Sequence, residues 1–420
     1  MLKRLPEQLR EAGLIFLITR GVLFLMAPLA YLTLPKIEPS NQDFPPLVDP
    51  RLTDTFTGIP HYLFDIWAKW DSVWYLQIAQ YGYAAGDNST AFFPLYPLMI
   101  AIFKPLFLGN GVLAGMFISL SCCLGAFYLF FLLVEMDYGR DVARRAVFYL
   151  AIFPTAFFFQ TIYSESLFLV LTIGCIYAAR RNEFVLAGIA GALATLTRSP
   201  GMLLLVPLVI MYGQSRGWGW RPGSWDLRKI RWDAVGLLLV PLGLGVWMLY
   251  LEMKFGNPFL FTSSQDNWLR QFIWPWEGGP LTGLWRGFRE AWNGMGDILS
   301  TSDQNFWPVT DRDPRLWATY NVMNFVFTVG FIGLGVAAIK RLPSYYVAYI
   351  FAVLLLPLCT PSTYVPLFSM PRFLLTAFPA FILLAIWGER NRWVDMLITV
   401  TSLALLGFFV SKFVVWTWVS

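Results

Sequence analysis

Two aspartates sit among tryptophans in the stretch Asp65-Ile-Trp-Ala-Lys-Trp-Asp-Ser-Val-Trp-Tyr-Leu-Gln-Ile-Ala-Gln80. An ionised carboxylate in such company is costly unless something uses it. One use is to take the proton from an attacking hydroxyl. Helical spacing sets Asp65 four residues before Lys69, which predicts a local ion pair. Asp71 has no basic residue at that spacing; its helical neighbours are Trp67, Ala68, Trp74 and Tyr75. Its bland alternative is an acid at a helix start. Four more charged residues stand out: Glu165 in Tyr163-Ser-Glu165, Arg198 in Thr197-Arg-Ser-Pro200, Arg372 after Ser369-Met-Pro371, and Asp266 after Thr262-Ser-Ser-Gln265. Glu165 could cap a helix, and the arginines could anchor at lipid headgroups. Read together, they suggest chemistry. Arginines hold a phosphate and stabilise its charge as it leaves, while a carboxylate activates the acceptor. No Gly-rich phosphate loop occurs, so the donor group is expected on a lipid phosphate and not on a nucleotide.

The elements that must position these residues lie in a membrane. The chain has 420 residues, is 57% hydrophobic and 18% aromatic, and only 14% are charged. A soluble chain of this length carries nearly twice that charge. Its apolar residues come in solid runs and do not alternate, which predicts an all-α polytopic membrane protein and excludes a barrel. The net charge of +5 comes from basic residues in short loops. There it sets orientation and does not point to nucleic acid. The four cysteines all fall within apolar runs, so no disulfide or zinc framework follows. One histidine, His61, cannot build a His-rich metal site. No metal or other cofactor is required, although two acids could hold a divalent cation weakly.

About eleven spans are expected: 12–34, 112–134, 146–162, 163–179, 184–197, 199–215, 234–251, 316–339, 343–360, 372–388 and 394–417. Lys3, Arg4 and Arg10 put the N-terminus inside, on a retained anchor. Arg20, within the first span, is expected to snorkel to the nearer interface. Residues 92–108 open with two prolines. If they re-enter on the outer side instead of crossing, Arg140, Arg144 and Arg145 fall inside, as the positive-inside rule asks. Three parts follow. Residues 1–251 form a transmembrane module with a catalytic outer loop, 35–92, that carries interfacial helices. Residues 252–315 form an outer interfacial segment, and 316–420 the last helices. Within the segment, Leu281, Leu284, Trp285, Phe288, Trp292, Met295 and Ile298 recur at the spacing of an amphipathic helix lying on the leaflet. Seven tryptophans between Trp268 and Trp317 suit the same interface. This topology brings Asp71, Glu165, Arg198, Asp266 and Arg372 to one face. Asn88-Ser-Thr90, on that face, is a glycosylation sequon of a kind common by chance.

Several stretches, in order, resemble the GPI mannosyltransferase II (PIG-V) family and its prokaryotic relatives within the GT-C glycosyltransferases. They are Lys69-Trp-Asp-Ser-Val-Trp-Tyr75, Phe92-Phe-Pro-Leu-Tyr-Pro97, Phe153-Pro-Thr-Ala-Phe-Phe158 with Tyr163-Ser-Glu-Ser-Leu-Phe168, Thr197-Arg-Ser-Pro-Gly201, Phe255-Gly-Asn-Pro258 with Gln265 and Trp268, and Ser369-Met-Pro-Arg-Phe373. The resemblance implies a GT-C-type helix bundle, a polyprenyl-phosphate sugar donor (usually mannose) and transfer with inversion. The acceptor would be a lipid or glycolipid at the outer or luminal face. That face belongs to the plasma membrane in a prokaryote and to the endoplasmic reticulum in a eukaryote. The family's tryptophan–aspartate pair falls on Trp70 and Asp71. Asp71 is then the expected base, Glu165 orients acceptor or arginine, and Arg198 and Arg372 bind the donor phosphate. Trp70, Trp74, Tyr75, Tyr163, Gln265 and Asp266 are candidates for positioning the substrates. The rival reading, a transporter or flippase of a lipid-linked sugar, expects polar sites at mid-membrane and internal repeats; neither is legible here.

Overall fold

The structure, a computed structural model, describes residues 6–36, 49–219, 225–299, 314–363 and 365–419. Lys3, Arg4, Arg221 and residues 37–48 of the first outer loop lie outside the described residues. The chain is helical, and the described residues contain a single isolated antiparallel bridge, between Arg270 and Ser362.

In chain order the helices are α1 (Glu7–Thr33), α2 (Ile59–Leu63), α3 (Asp71–Tyr81), α4 (Leu95–Phe103), α5 (Gly111–Tyr138), α6 (Arg140–Ile152), α7 (Glu165–Arg180), α8 (Phe184–Thr197) and α9 (Leu205–Ser215). There follow α10 (Val235–Phe255), α11 (Leu260–Ser263), α12 (Gly279–Leu299), α13 (Pro314–Ala338), α14 (Ser344–Cys359), α15 (Met370–Leu374), α16 (Pro379–Arg390) and α17 (Arg392–Val414). Five segments, those of α1, α5, α10, α13 and α17, are long and apolar enough to cross a bilayer. The other six expected spans are shorter or broken helices, and the breaks have local causes. Phe153 precedes Pro154 and takes an extended conformation, ending α6 at Ile152. Arg198 precedes Ser199-Pro200, is likewise extended, and ends α8.

Ion pairs gather at one end of the bundle. Glu7 and Glu11 at the start of α1 meet Arg140 just past the end of α5, with Glu7 at 2.5 Å. Arg180 pairs with Asp137, Arg216 with Asp233 at 2.5 Å, and Arg145 with Asp395 at 3.3 Å. This is the basic end anticipated from the loops. In the walls between the ends, small residues allow close packing. A Cβ on Gly188 would lie 2.0 Å from the Gly236 carbonyl oxygen, so α8 and α10 touch backbone to backbone.

Arg20 corrects one expectation. It is 2% exposed and does not snorkel. Its guanidinium donates to the carbonyls of Ala151 and Ala156, each at 2.6 Å. The break at Phe153-Pro154 robs nearby carbonyls of their helical partners, and Arg20 satisfies two acceptors on either side of it. A buried arginine is thereby made structural, tying α1 to α6.

The helical reading of residues 65–80 also needs correction. Asp65–Trp67 form a short 3-10 turn, and Trp70 has φ 54° before α3 begins. With the register broken, Asp65 forms no ion pair with Lys69 among the described residues. Its carboxylate instead accepts from Thr55 N at 3.0 Å, Thr55 Oγ1 at 2.9 Å and Phe56 N at 2.8 Å.

Residues 92–108 run beside α3. The α4 helix and the 3-10 turn Lys104–Phe107 together rise only about 21 Å, against a hydrocarbon core of about 30 Å. Phe92 stacks on Trp74, Lys104 bonds Gln80, and Asn110 Nδ2 donates to Thr55 Oγ1 at 3.0 Å. Both ends of the segment therefore pack against the first loop. The apolar stripe of α12 is confirmed as one face of a helix. Leu281, Trp285 and Trp292 on it are largely exposed, as expected of a face turned to lipid.

Candidate functional site

Opposite the basic end, four interruptions of helix bring charges together. Asp71 is the first residue of α3 and follows the left-handed Trp70. Such a conformation costs a bulky residue about 1–2 kcal/mol. Packing holds it: the rings of Trp416 and Trp418 meet Trp70 edge-on at 5.7 and 5.1 Å. The Tyr163 hydroxyl straddles the same kink. It accepts from the Asp71 N–H at 3.1 Å and donates to the Lys69 carbonyl at 3.3 Å. Glu165 is the first residue of α7. Arg198 sits between α8 and the 3-10 turn Ser199–Leu204. Gly201 makes this reversal possible, since a Cβ there would lie 2.3 Å from the Thr195 nitrogen. Arg372 lies in α15, whose start is set by Ser369 at φ 65°. Thr155 Oγ1 donates to the Pro371 carbonyl at 2.9 Å, fastening α15 to the loop after α6.

The four charges form a chain. Asp71 Oδ2 meets an Arg372 terminal nitrogen at 2.5 Å. Arg372 Nε lies 3.4 Å from Glu165 Oε1, and the same oxygen accepts from Arg198. The side chains of Asp71 and Arg372 are 13% and 10% exposed, that of Glu165 only 1%. Asp71 and the arginines thus keep some exposure, while Glu165 is sealed and its carboxylate holds the two guanidiniums. Arg372 packs against the rings of Phe158, Tyr163 and Phe373 at 5.5–5.6 Å. Low polarity around the pair strengthens it.

The other sequence candidates divide. Tyr75 donates to or accepts from Ser164 Oγ at 2.8 Å, one residue from Glu165. Burial holds its hydroxyl protonated well above the usual range. Trp74 stacks on Phe92 at 5.5 Å and so builds the wall. Gln265 and Asp266 sit in the 3-10 turn Ser264–Trp268. Among the described residues no hydrogen bond or ion pair links them to the cluster. Lys69, beside the Trp70 kink, is 5% exposed. Its ammonium lies over the Trp416 ring at 4.7 Å, and burial pushes it down to about 8 against the pull of Asp54 and Asp65.

Sequence reasoning missed Arg270. It is half-buried, donates to the Phe368 carbonyl at 3.2 Å and packs on Phe368 and Phe373 at 5.6 and 5.3 Å. Its guanidinium is pushed down to about 10 by burial and then by the positive charge of Arg372. The available signal was that no other Lys or Arg occurs between Lys254 and Arg286. Also unforeseen was a group formed by Asp54, His61 and Asp65, whose ligand atoms lie within 4.8 Å of one another. His61 Nδ1 stands 3.0 Å from Asp54 and 3.2 Å from Asp65. The Asp65 oxygens are already engaged by Thr55 and Phe56. The histidine therefore reads as a clamp on the loop.

Comparison with known proteins bears on this arrangement. Residues 14–214 match the family model described as Mannosyltransferase (PIG-V). That stretch holds Asp71, Glu165 and Arg198 and stops short of Arg270 and Arg372. The chain is similar to GPI alpha-1,6-mannosyltransferase 2 of Cricetulus griseus, with 31% identity over 163 residues. These are 36% of this chain and 32% of the relative, so the match spans about a third of that curated protein. Among solved structures it is similar to ArnT from Cupriavidus metallidurans bound to undecaprenyl phosphate, at 12% identity and a TM-score of 0.34, covering 88% of this chain and 77% of that one. The apo form of the same protein gives 12% identity, a TM-score of 0.33 and coverages of 88% and 76%.

Proposed function

We propose, from the match of residues 14–214 to the mannosyltransferase (PIG-V) family model, that the chain is a membrane glycosyltransferase. It would move a sugar, mannose by family habit, from a polyprenyl-phosphate donor to a lipid or glycolipid acceptor. The observation that carries this reading is the contact of Asp71 with Arg372, which sets a base beside a phosphate-binding cation.

In the proposed step the acceptor oxygen attacks the anomeric carbon as the bond from that carbon to the phosphate oxygen breaks. The acceptor proton passes to an Asp71 oxygen. The electron pair of the broken bond leaves with polyprenyl phosphate, and Arg372 and Arg198 stabilise the charge it gains. One reachable carboxylate suits a single displacement, hence inversion. Glu165, sealed between the arginines, positions them. Tyr163 positions Asp71 through its backbone, and Trp70 sets the turn on which that acid stands. The arginines supply the positive charge, so the reading requires no resident metal. Both acids are also committed to guanidiniums. We orient the site to the outer or luminal face, with the N-terminus at the basic, cytoplasmic end. The chemistry-bearing charges gather at one end and not at mid-membrane, which favours an enzyme over a flippase.

The test uses purified protein in liposomes with labelled polyprenyl-phosphate mannose and an acceptor lipid extract. Wild type is expected to transfer sugar. Asp71→Asn, folded to the same thermal midpoint, is expected to lose about 100-fold or more. Equal transfer by both would sink the assignment of Asp71. Lipid movement between leaflets without any transfer would favour the flippase.

A further inference from the structure

Arg198, Arg270 and Arg372 all face one ring. Their guanidinium carbons lie 5.4, 5.3 and 5.6 Å from the centroid of Phe373. Three like charges around a single side chain, at a site largely shielded from water, repel one another unless something neutralises them. Glu165 and Asp71 answer two of them: Glu165 bonds Arg198, and Asp71 bonds Arg372. No carboxylate answers Arg270 among the described residues. Among the described residues its Nε is buried without a hydrogen-bond partner, and its side chain donates to the Phe368 carbonyl. Among the described residues, three guanidiniums against two carboxylates leave one positive charge uncompensated.

The backbone around Arg270 is held in place. Residues 269–273 lie against 359–363 like a short strand pair. Ile273 N donates to the Cys359 carbonyl at 2.8 Å, and Thr363 N to the Leu269 carbonyl at 3.2 Å. Exposed Phe272 and Trp274 follow at once. Their rings meet edge-on at 4.9 Å and present an apolar surface close to the arginine in the chain.

We propose that Arg270 is the main contact for the phosphate of the polyprenyl-linked donor, with the prenyl chain leaving past Phe272 and Trp274. This rests on the glycosyltransferase reading and revises it at one point. Arg198 and Arg372 are already tied to acids and shape the site, while Arg270 carries the charge that an incoming phosphate monoester or diester neutralises. Its charge, crowded by Arg372, also gives an anion the most to relieve. When the sugar leaves, the phosphate gains charge, so Arg270 holds product more tightly than donor.

The full chain in lipid nanodiscs tests this with undecaprenyl phosphate, undecaprenol and inorganic phosphate as probes, binding being read by thermal shift and by inhibition of mannosyl transfer. Wild type is expected to bind undecaprenyl phosphate and to ignore undecaprenol; inorganic phosphate should compete only weakly, since it lacks the chain. Arg270→Gln is expected to bind undecaprenyl phosphate about 10- to 100-fold more weakly, the scale of one charged hydrogen-bonded contact. Arg270→Lys should recover part of that loss. Arg286→Gln, on exposed helix α12, should bind as wild type. If Arg270→Gln does not fold, Arg270→Lys decides: affinity equal to wild type overturns a specific guanidinium contact, and a several-fold loss supports it. Wild-type affinity in Arg270→Gln overturns the proposal while leaving the transferase intact. Failure of wild type to transfer sugar or to bind any of the probes would instead overturn the function on which it rests.

Discussion

Asp71 and Arg372 are 301 positions apart, yet their side chains meet at 2.5 Å. Each stands at the start of a helix whose first residues are set by a left-handed non-glycine residue, Trp70 and Ser369. The base and its cation thus depend on two strained turns from opposite ends of the chain. Because they act as a pair, their removal should not be additive. Arg372→Lys keeps a charge but loses the planar fork, and its transfer rate should fall about tenfold or more. Combined with Asp71→Asn it should add little to the loss from Asp71→Asn alone. Multiplicative losses in initial transfer rates would separate the two residues functionally.

Glu165 is expected to behave differently from Asp71. It is closed to substrate and shares one oxygen between two guanidiniums. Removing one partner of a buried charge pair costs about 3–5 kcal/mol in general. Glu165→Gln, which keeps an acceptor, should cost less than that but lower the thermal midpoint measurably. Its kinetic defect should appear mainly as a raised KM for the donor, with the pH profile unchanged. A normal KM and a shifted pH profile would make Glu165 a proton-transfer group instead.

The sequence displayed the outline of this site and concealed its joints. Charges at membrane depth are rare, so Asp71, Glu165, Arg198 and Arg372 could be picked out singly and brought to one face by counting spans. Their mutual distances depend on where helices break. Pro154 and Pro200 announce two breaks, but nothing local forecasts positive φ at Trp70, which the C-terminal Trp416 and Trp418 support. The helical register assumed for Asp65 and Lys69 fails for that reason. Arg20 was misjudged because an arginine in an apolar helix looks the same whether it meets lipid headgroups or carbonyls freed by a proline elsewhere. Arg270 was missed because it lies in an irregular strand-like stretch with no periodicity.

Lys69 carries a pH signature. Its folded value, about 8, lies below the ordinary 10.5, so between these values the unfolded chain binds more protons than the folded one. Stability from this group therefore rises with pH across that window, and below about pH 8 the folded state bears the cost of a buried ammonium. Lys69→Met removes the group. Its thermal midpoint should exceed that of wild type most at pH 7, and the difference should narrow toward pH 10. A pH-independent difference would show that Lys69 does not titrate with folding.

Arg20 should be a stability residue and not an active-site one. Arg20→Met fills similar volume but leaves the carbonyls of Ala151 and Ala156 without their donor. An orphaned buried acceptor costs about 1–3 kcal/mol. The variant should melt several degrees lower in detergent, while its KM for the donor stays within about twofold of wild type at a temperature where it is folded. An unchanged melting point would return Arg20 to the role of an interfacial anchor.

The path of residues 92–108 can be settled by sidedness. Leu108 is 100% exposed at the turn before α5, and Ile59 in the first loop is 75% exposed. Contacts of Lys104 and Asn110 with Gln80 and Thr55 hold the far end of the segment at the level of that loop. Leu108→Cys and Ile59→Cys should therefore react with a membrane-impermeant maleimide from the same side of sealed vesicles. Arg181→Cys, at the basic end, should react only from the other, with wild type as the blank for native cysteines. The short rise of the segment makes the same demand, since about 21 Å of helix cannot carry Leu108 across a core of about 30 Å. Labelling of Leu108→Cys together with Arg181→Cys would mean that the segment crosses. The first loop and the Arg140 end of α5 would then need a different arrangement from the one that brings Asp71 to Arg372.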